Sequence, residues 1–239
     1  MPADPAGWVL WCDPQLLVID KPAGLPTLPD GYHKEAPHVK SVLEPLYGRL
    51  WIVHRLDKET SGVLALARSA EAHRSLNTQF EQHTPEKVYH ALLRGDPPWD
   101  TYSVRLPLRA DGDRRHRTVI DPLQGKPAVT HLQVLRRSAG WTWLEAKPET
   151  GRTHQIRAHL AALGLPLAGD ALYGGKAAHM PDEALSVPGA ARLCLHAWRL
   201  SLQHPVTGER LTFTAPDPSD LLSLLRTLAD AGGLATDIT

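Results

Sequence analysis

The chain has 239 residues, and its 26 basic side chains balance its 26 acidic ones when the 13 histidines are counted as neutral. Hydrophobic residues make up 42% and charged residues 22%, which is ordinary for a globular protein. No apolar run approaches the ~20 residues of a membrane span, and the N-terminus lacks the features of a signal peptide. We therefore expect a cytoplasmic protein without membrane contact, and two buried thiols at Cys12 and Cys194.

The first half of the chain alternates short apolar runs with turn signals. Residues 8–20 predict two short strands joined by a turn, and a loop rich in proline and glycine follows over 21–31. Residues 63–67 read as a buried strand. Ser69 is a good N-cap for a helix that runs through Gln82 with one apolar stripe.

The second half is also rich in strands. We predict strands at 87–93, 103–108, 128–136, 141–148, 193–202 and 210–213. Helices are predicted at 153–163, where Gly164 supplies the stop, and at 218–231, where Pro218 lies near the first turn.

Strands outnumber helices and are separated mostly by turns, which favours an α+β fold with a mostly antiparallel sheet. Neither a repeat nor a linker is evident. We therefore expect a single domain over 1–239, with a core at about 8–216 and a C-terminal helix at 218–231.

A basic cluster lies within residues 105–117 of this neutral chain. It holds Arg105, Arg109, Arg114, Arg115 and Arg117. A neutral total can hide a basic face that binds nucleic acid, but a solvated hairpin explains the cluster equally well. Its role stays open at this level.

Three polar-rich segments lie where predicted strands end, a usual place for functional residues. In HRLDKETSG (54–62), positive neighbours favour the ionised form of Asp57, and an ionised carboxylate can attack a sugar carbon. Tyr89, on a predicted strand, could stack on a base. Taken alone, an aspartate in such a segment is more often a turn or cap residue, and a tyrosine on such a strand is more often a core residue.

The third segment, PETGRTHQIRAH (148–159), places arginines at a predicted helix start, which suits a phosphate or carboxylate group. Its two histidines, His154 and His159, are five residues apart, whereas zinc-binding pairs on one helical face are four apart. We therefore predict that the protein has no metal site.

Together these segments resemble the motifs of the RluA family of pseudouridine synthases, in matching order and spacing from about residue 8 to residue 216. The similar stretches are DKPAGLPT (20–27), HRLDKETSG (54–62), the K-x-Y element (87–89), GKPAVT (125–130), LEAKPETGRTHQIRAH (144–159) and RLCLHAWRL (192–200). The resemblance implies a curved, mostly antiparallel sheet flanked by helices, with a central cleft.

The resemblance also implies a role for each matching residue. Asp57 would be the nucleophile, Tyr89 would stack on the target base and assist proton removal, and Arg157 would pair with the aspartate. Arg55 would enter the RNA stack when the base leaves, and Leu195 would pack near the tyrosine. The implied substrate-binding residues are His54, Arg55, Lys87, Arg152, His154 and Leu195.

The compact form of the family, without an N-terminal S4 domain, is implied as well. Converting uridine to pseudouridine adds no atom and changes no oxidation state, so we expect no cofactor. The expected partner is ribosomal or transfer RNA, bound by a monomer, with residues 105–117 and 174–191 as candidate contacts outside the pocket. Attack on the ribose, addition to the base and a glycal route all remain open for Asp57.

Two other functions compete with this interpretation. A hydrolase of glycosidic bonds needs two carboxylates, and Asp57 and Glu59 would share a face if they lay on a strand. A non-catalytic RNA-binding module would need neither of them. Release of free uracil distinguishes the hydrolase from an isomerase.

Overall fold

The structure is a computed structural model that describes residues 4–29, 35–174 and 192–231. Over these residues it has the predicted α+β architecture, with four α-helices, a large open mixed sheet and a small two-stranded sheet. The chain divides into two compact units, unit 1 (Met1–Val88 and His196–Pro216) and unit 2 (Tyr89–Leu195 and Asp217–Thr239). None of the described helices is long and apolar enough to cross a membrane.

Unit 1 is built on a sheet whose strand order is β1-β2-β4-β11. These strands are β1 (Val9–Cys12), β2 (Leu16–Lys21), β4 (Ser61–Ala67) and β11 (Leu195–Gln203), which enters unit 1 at His196. The short β3 (Trp51–Ile52) pairs with β4, and β12 (Arg210–Thr214) pairs with β11. Only the β4–β11 pairing is parallel among these, so the predicted antiparallel character holds in unit 1.

The core of unit 1 forms because β2 and β4 are apolar on both faces. All seven residues of β4 are buried, which confirms the predicted buried strand. The predicted helix is also confirmed as α2 (Ala70–Glu81), and the Ser69 side chain accepts a hydrogen bond from the Ala72 amide. Ala72 and Leu76 pack against β2 and β4.

One helix of unit 1 was not predicted from the sequence. Helix α1 (Val39–Tyr47) buries Val39 and Leu43 and contains Pro45. Proline inside a helix removes a hydrogen bond and opposes a helix prediction, but here it lies near the C-terminal end, where only two helical residues follow. Gly48, with φ of 73°, ends the helix.

Unit 2 contains a sheet with the order β5-β10-β9-β6, and all of its pairings are antiparallel. The strands are β5 (Glu86–Arg94), which enters unit 2 at Tyr89, β6 (Thr101–Val104), β9 (Thr130–Ser138) and β10 (Trp141–Pro148). The predicted bounds of β10 are confirmed. The strand predicted at 103–108 is wrong in its middle, because residues 105–107 join β6 to β7 (Leu108–Arg109), which pairs with β8 (Val119–Ile120).

Two helices cover opposite faces of β10. Helix α3 (Gln155–Ala162) packs on the face that carries Leu144 and Ala146, and α4 (Ser219–Ala231) packs on the face that carries Trp141 and Trp143. This arrangement follows from the alternating burial along β10, since neighbouring side chains on a strand point to opposite faces.

The start of α3 corrects the predicted helix over 153–163. His154 has φ of 52°, in the left-handed region, so the helix begins only at Gln155. Arg152 and His154 therefore precede the helix instead of lying in its first turn. The predicted stop at Gly164 is confirmed, with φ of 73°.

The two cysteines lie in different surroundings. Cys194 is buried, and burial raises the pKa of its thiol to about 11. Cys12 is exposed at the end of β1, whose last two residues are both exposed, so the prediction of a buried thiol is wrong there.

The candidate RNA-contacting segment 174–191 lies outside the described residues from 175 onward.

We propose that the chain unfolds as the single domain expected from its sequence. Neither unit is one continuous segment, and β5 and β11 each run from one unit into the other. Local melting of either strand in one unit should therefore disturb the part of the same strand that belongs to the other unit. Differential scanning calorimetry should show one transition with equal calorimetric and van't Hoff enthalpies. Two resolved transitions would contradict the proposal.

Candidate functional site

A polar loop between β3 and β4 carries Asp57. The residue is half-buried, and its carbonyl accepts a hydrogen bond of 3.1 Å from the Thr60 amide. Glu59 is exposed in the same loop. Neither carboxylate lies on a strand, so the shared strand face considered for a hydrolase pair is wrong.

The residue that follows Asp57 is held by a buried lysine. Lys21 is fully buried, and its ammonium group donates to the carbonyls of Pro22 (2.8 Å), Leu25 (2.8 Å) and Lys58 (3.2 Å). The Lys58 carbonyl also accepts the Gly24 amide at 2.8 Å. The backbone on the C-terminal side of Asp57 is therefore fixed by two donors.

Thr27 holds the residue that precedes Asp57. Its Oγ1 donates to the Leu56 carbonyl at 2.9 Å and accepts the Leu56 amide at 3.2 Å. Both neighbours of Asp57 are thus bound by the segment 20–27. Sequence reasoning missed Lys21 and Thr27 as positioning residues, although a lysine two positions after the apolar run LLVI (16–19) is a usable signal.

His54 ties the same loop to β4. Its Nε2 accepts the Ala65 amide at 2.9 Å, and its ring stacks on Phe80 with centroids 4.4 Å apart. Burial, and to a lesser extent the nearby Lys87 ammonium, lowers the pKa of His54 to about 3. The imidazole is therefore neutral, as an Nε2 acceptor must be.

Two cations predicted to bind substrate also lie in unit 1. Lys87, on β5, is half-buried, and burial lowers the pKa of its amine to about 8. Most of this amine is still protonated at neutral pH. Arg55 is exposed on the loop beside Asp57. Both side chains can therefore present positive charge to an anionic ligand.

In unit 2, Arg157 lies in the first turn of α3 and is held by Asp170. The guanidinium Nε and Nη2 each donate to one carboxylate oxygen of Asp170, both at 2.8 Å. Asp170 also accepts the amides of Leu172 and Tyr173 at 3.0 Å. A buried bidentate pair fixes the plane of the guanidinium. Asp57 belongs to unit 1, and its predicted pairing with Arg157 stays a prediction.

Tyr173 joins two of the predicted site residues. Its ring lies 5.1 Å from the Arg157 guanidinium, and its hydroxyl lies 3.1 Å from Nδ1 of His154. The hydroxyl also accepts the Thr118 amide and donates to the Thr118 carbonyl. Arg152 is separate from this group, since its Nε donates to the Pro127 carbonyl at 3.2 Å. Sequence reasoning missed Asp170 and Tyr173.

Tyr89 and Leu195 share one apolar cluster of unit 2. Tyr89 is half-buried on β5 opposite Ala146 of β10, and Leu195 is buried in the same cluster. Helix α3 covers the face of the sheet on which this cluster lies. Tyr89 therefore lies on the same side of the sheet as the helix that carries Arg157.

Replacing Lys21 should test how strongly the Asp57 loop depends on the buried ammonium. Lys21→Met keeps much of the volume but leaves the Pro22 and Leu25 carbonyls without this donor, so we expect the free energy of unfolding to fall by more than about 2 kcal/mol. Lys40→Met, on α1, is the matched control and should cost less than about 1 kcal/mol. Equal losses in urea titrations of the two variants would contradict the assignment.

The lowered pKa of His54 predicts a pH dependence of stability. Below its ordinary value of 6.5 the unfolded chain takes up a proton, while the folded chain stays neutral down to about 3. The free energy of unfolding should therefore fall as pH drops through this window, by up to about 1.4 kcal/mol per pH unit from this group.

His54→Gln removes this titration and keeps an oxygen that can accept the Ala65 amide. Urea titrations at several pH values between 6.5 and 3 should show a shallower decline for this variant than for the parent. His83→Gln, at an exposed position, should keep the parent slope. Parallel curves for the parent and His54→Gln would refute the neutral buried imidazole.

Comparison with known proteins gives a consistent result. The family model described as RNA pseudouridylate synthase matches residues 15–162. A ribosomal large subunit pseudouridine synthase D of Neisseria meningitidis is 37% identical over 97% of this chain. The dual-specificity RNA pseudouridine synthase RluA of Pasteurella multocida is 40% identical, over 90% of this chain and 95% of its own length.

A solved structure, human RNA pseudouridylate synthase domain containing 4, matches with a TM-score of 0.75 and 27% identity over 93% of both chains. The present chain spans 63% of the length of the Neisseria relative. The match of the family model to more than half of the chain, together with relatives at 37% and 40% identity, establishes that this chain belongs to the RluA group of the RNA pseudouridylate synthase family.

Proposed function

We propose that the chain is an RNA pseudouridine synthase that isomerises uridine in RNA with Asp57 as its nucleophile. The observation that carries the proposal is the support of the Asp57 loop. Lys21 and Thr27 hold the residues on both sides of Asp57, while Asp57 itself stays partly exposed. A carboxylate on a rigid backbone with access to solvent is suited to attack a bound substrate, since little ordering is needed at the moment of reaction.

Arg157 and Tyr89 are proposed as the other two members of the catalytic site. The bidentate contact with Asp170 gives Arg157 a fixed orientation, and an arginine paired with Asp57 would keep that carboxylate ionised. Tyr89 offers a half-buried aromatic face for stacking on the uracil, and Leu195 would help to close the pocket. The assignment of the three residues to one site rests on the family motifs.

The remaining motif residues are proposed to contact the RNA. Arg55 and Lys87 would bind it from unit 1, and Arg152 and His154 from unit 2. Extruding a base from structured RNA costs a few kcal/mol, which Arg55 would partly offset by filling the vacated space. His54 would act mainly through the loop, because its Nε2 is already used by the Ala65 amide.

The proposed substrate is ribosomal or transfer RNA. One relative is named for the ribosomal large subunit and another for dual specificity, and the second has nearly the length of this chain. We propose that the protein acts on these RNAs in the cytoplasm as a monomer, without a cofactor. Ribose attack, base addition and a glycal route each use the same Asp57 carboxylate.

Substituting Asp57 tests the proposed function. Total RNA from cells that lack the protein should gain pseudouridine at defined sites when the parent protein is added, and Asp57→Asn should abolish this gain while RNA binding is retained. The isosteric change removes the negative charge that the nucleophile needs. Glu59→Gln, which changes an exposed carboxylate of the same loop, is the matched control and should keep most of the activity. Pseudouridine is mapped by chemical labelling and primer extension.

Other outcomes would favour the competing functions. Release of free uracil that needs both Asp57 and Glu59 would indicate a glycosidic-bond hydrolase. RNA binding that is indifferent to Asp57, with no altered uridine, would indicate a non-catalytic binding module. Pseudouridine formed by Asp57→Asn at the parent rate would overturn the assignment of the nucleophile.

A further inference from the structure

Residues 105–126 of unit 2 form a small lobe, here called the basic lobe, around the strands β7 and β8. It carries six cationic side chains and three carboxylates, a formal net charge of +3 in a chain whose total is zero. The cations are Arg105, Arg109, Arg114, Arg115, Arg117 and Lys126. The rest of the chain therefore has a negative balance, and positive charge is concentrated in the lobe.

Two of these arginines have carboxylate partners that build the lobe. Arg109 donates to Asp121 at 2.6 Å, and Arg117 donates to Asp113 at 2.7 Å. Each of the two aspartates also accepts hydrogen bonds from two backbone amides of its own turn. These hydrogen bonds hold the pKa of each carboxyl below its usual range, so the aspartates stay ionised and the turns stay closed.

The third carboxylate of the lobe, Asp111, accepts a hydrogen bond from the exposed His116. All three carboxylates of the lobe are therefore engaged within it. Among the residues that the structure describes, the other four cations of the lobe are left without a carboxylate partner.

Four cations remain exposed on the basic lobe. Within the described ranges, Arg105, Arg114, Arg115 and Lys126 have no carboxylate partner; Arg115 donates only to the Ala171 carbonyl, at 3.3 Å. All four side chains are exposed at the surface. Arginine and lysine in this state are the groups that proteins use to bind phosphate oxygens.

The basic lobe is fixed to the helix that carries Arg157. Leu108 and Ile120 pack in one cluster with Ala158 of α3, and the backbone of Thr118 bonds to the Tyr173 hydroxyl through two hydrogen bonds. The four exposed cations therefore stand on a scaffold with a defined position relative to α3. A lobe whose backbone is already ordered loses less conformational freedom when a polyanion binds to it than a flexible segment would.

We propose that the basic lobe binds the phosphate backbone of the RNA substrate, outside the uridine pocket, through Arg105, Arg114, Arg115 and Lys126. Arg109 and Arg117 serve to build the lobe instead. The inference rests on the proposed function, because it takes the polyanion to be the RNA on which the enzyme acts. It divides the arginine cluster of the sequence into residues that contact RNA and residues that do not.

The salt dependence of RNA binding tests the division. The probe is a fluorescently labelled stem-loop RNA with uridines in its loop, titrated at salt concentrations from about 50 to about 200 mM. The double variant Arg105→Gln/Arg114→Gln should bind more weakly at low salt. Its slope of log affinity against log salt should be shallower by about 1.5, because two phosphate contacts are lost.

The control is Arg74→Gln/Arg226→Gln, which removes two exposed arginines from α2 and α4 and makes the same change in net charge. It should keep the parent slope. A slope that is unchanged in the lobe variant, or reduced equally in both variants, would overturn the proposal.

The result separates this proposal from the proposed function. If the parent forms pseudouridine but the lobe variant keeps its slope, the basic lobe does not bind RNA and the function stands. If the slope falls as expected but no pseudouridine is formed, the lobe binds RNA and the proposed function fails. If the parent shows no salt-dependent RNA binding, the lobe proposal is refuted, whatever the activity.

Discussion

The fixed position of the Asp57 loop depends on one buried cation. Lys21 ends β2, whose first four residues are apolar and buried, and its side chain has no exposed surface. Removing a charge from water costs several kcal/mol, so such a group persists only where polar partners surround it. Three backbone carbonyls do so here, and one of them belongs to Lys58. The cost of burial therefore makes the position of the loop specific, because displacing the Asp57 segment would remove a partner from the ammonium.

The Arg157–Asp170 pair applies the same principle in unit 2. Buried ion pairs add little net stability, since desolvation offsets most of the attraction, but their geometry is restrictive. Asp170 holds the guanidinium by two bonds and is itself held by two backbone amides. In each unit a buried charge is thus used to orient a residue of the proposed site, and the apolar clusters supply the stability.

Local sequence patterns predicted the elements whose structure is decided locally. Strand β10 alternates between two faces along its whole length, and α2 begins at a capping serine, so both were predicted within one residue. Helix α1 was missed because Pro45 opposes a helix, and α3 was started too early because nothing in the sequence shows the left-handed backbone of His154. Lys21 and Asp170 were missed because their roles come from partners 37 and 13 residues away.

The basic lobe shows why net charge alone is a weak guide to nucleic-acid binding. The total charge of the chain is zero, and by sequence alone the arginine cluster fits a solvated hairpin as well as a basic face. The pairing of the carboxylates resolves part of this question, since each ion pair both builds a turn and removes one cation from the set available to a ligand. Binding of a polyanion depends on how many exposed cations of the surface have no carboxylate partner. The sequence alone cannot give this count, because it depends on which aspartate pairs with which arginine in the folded chain.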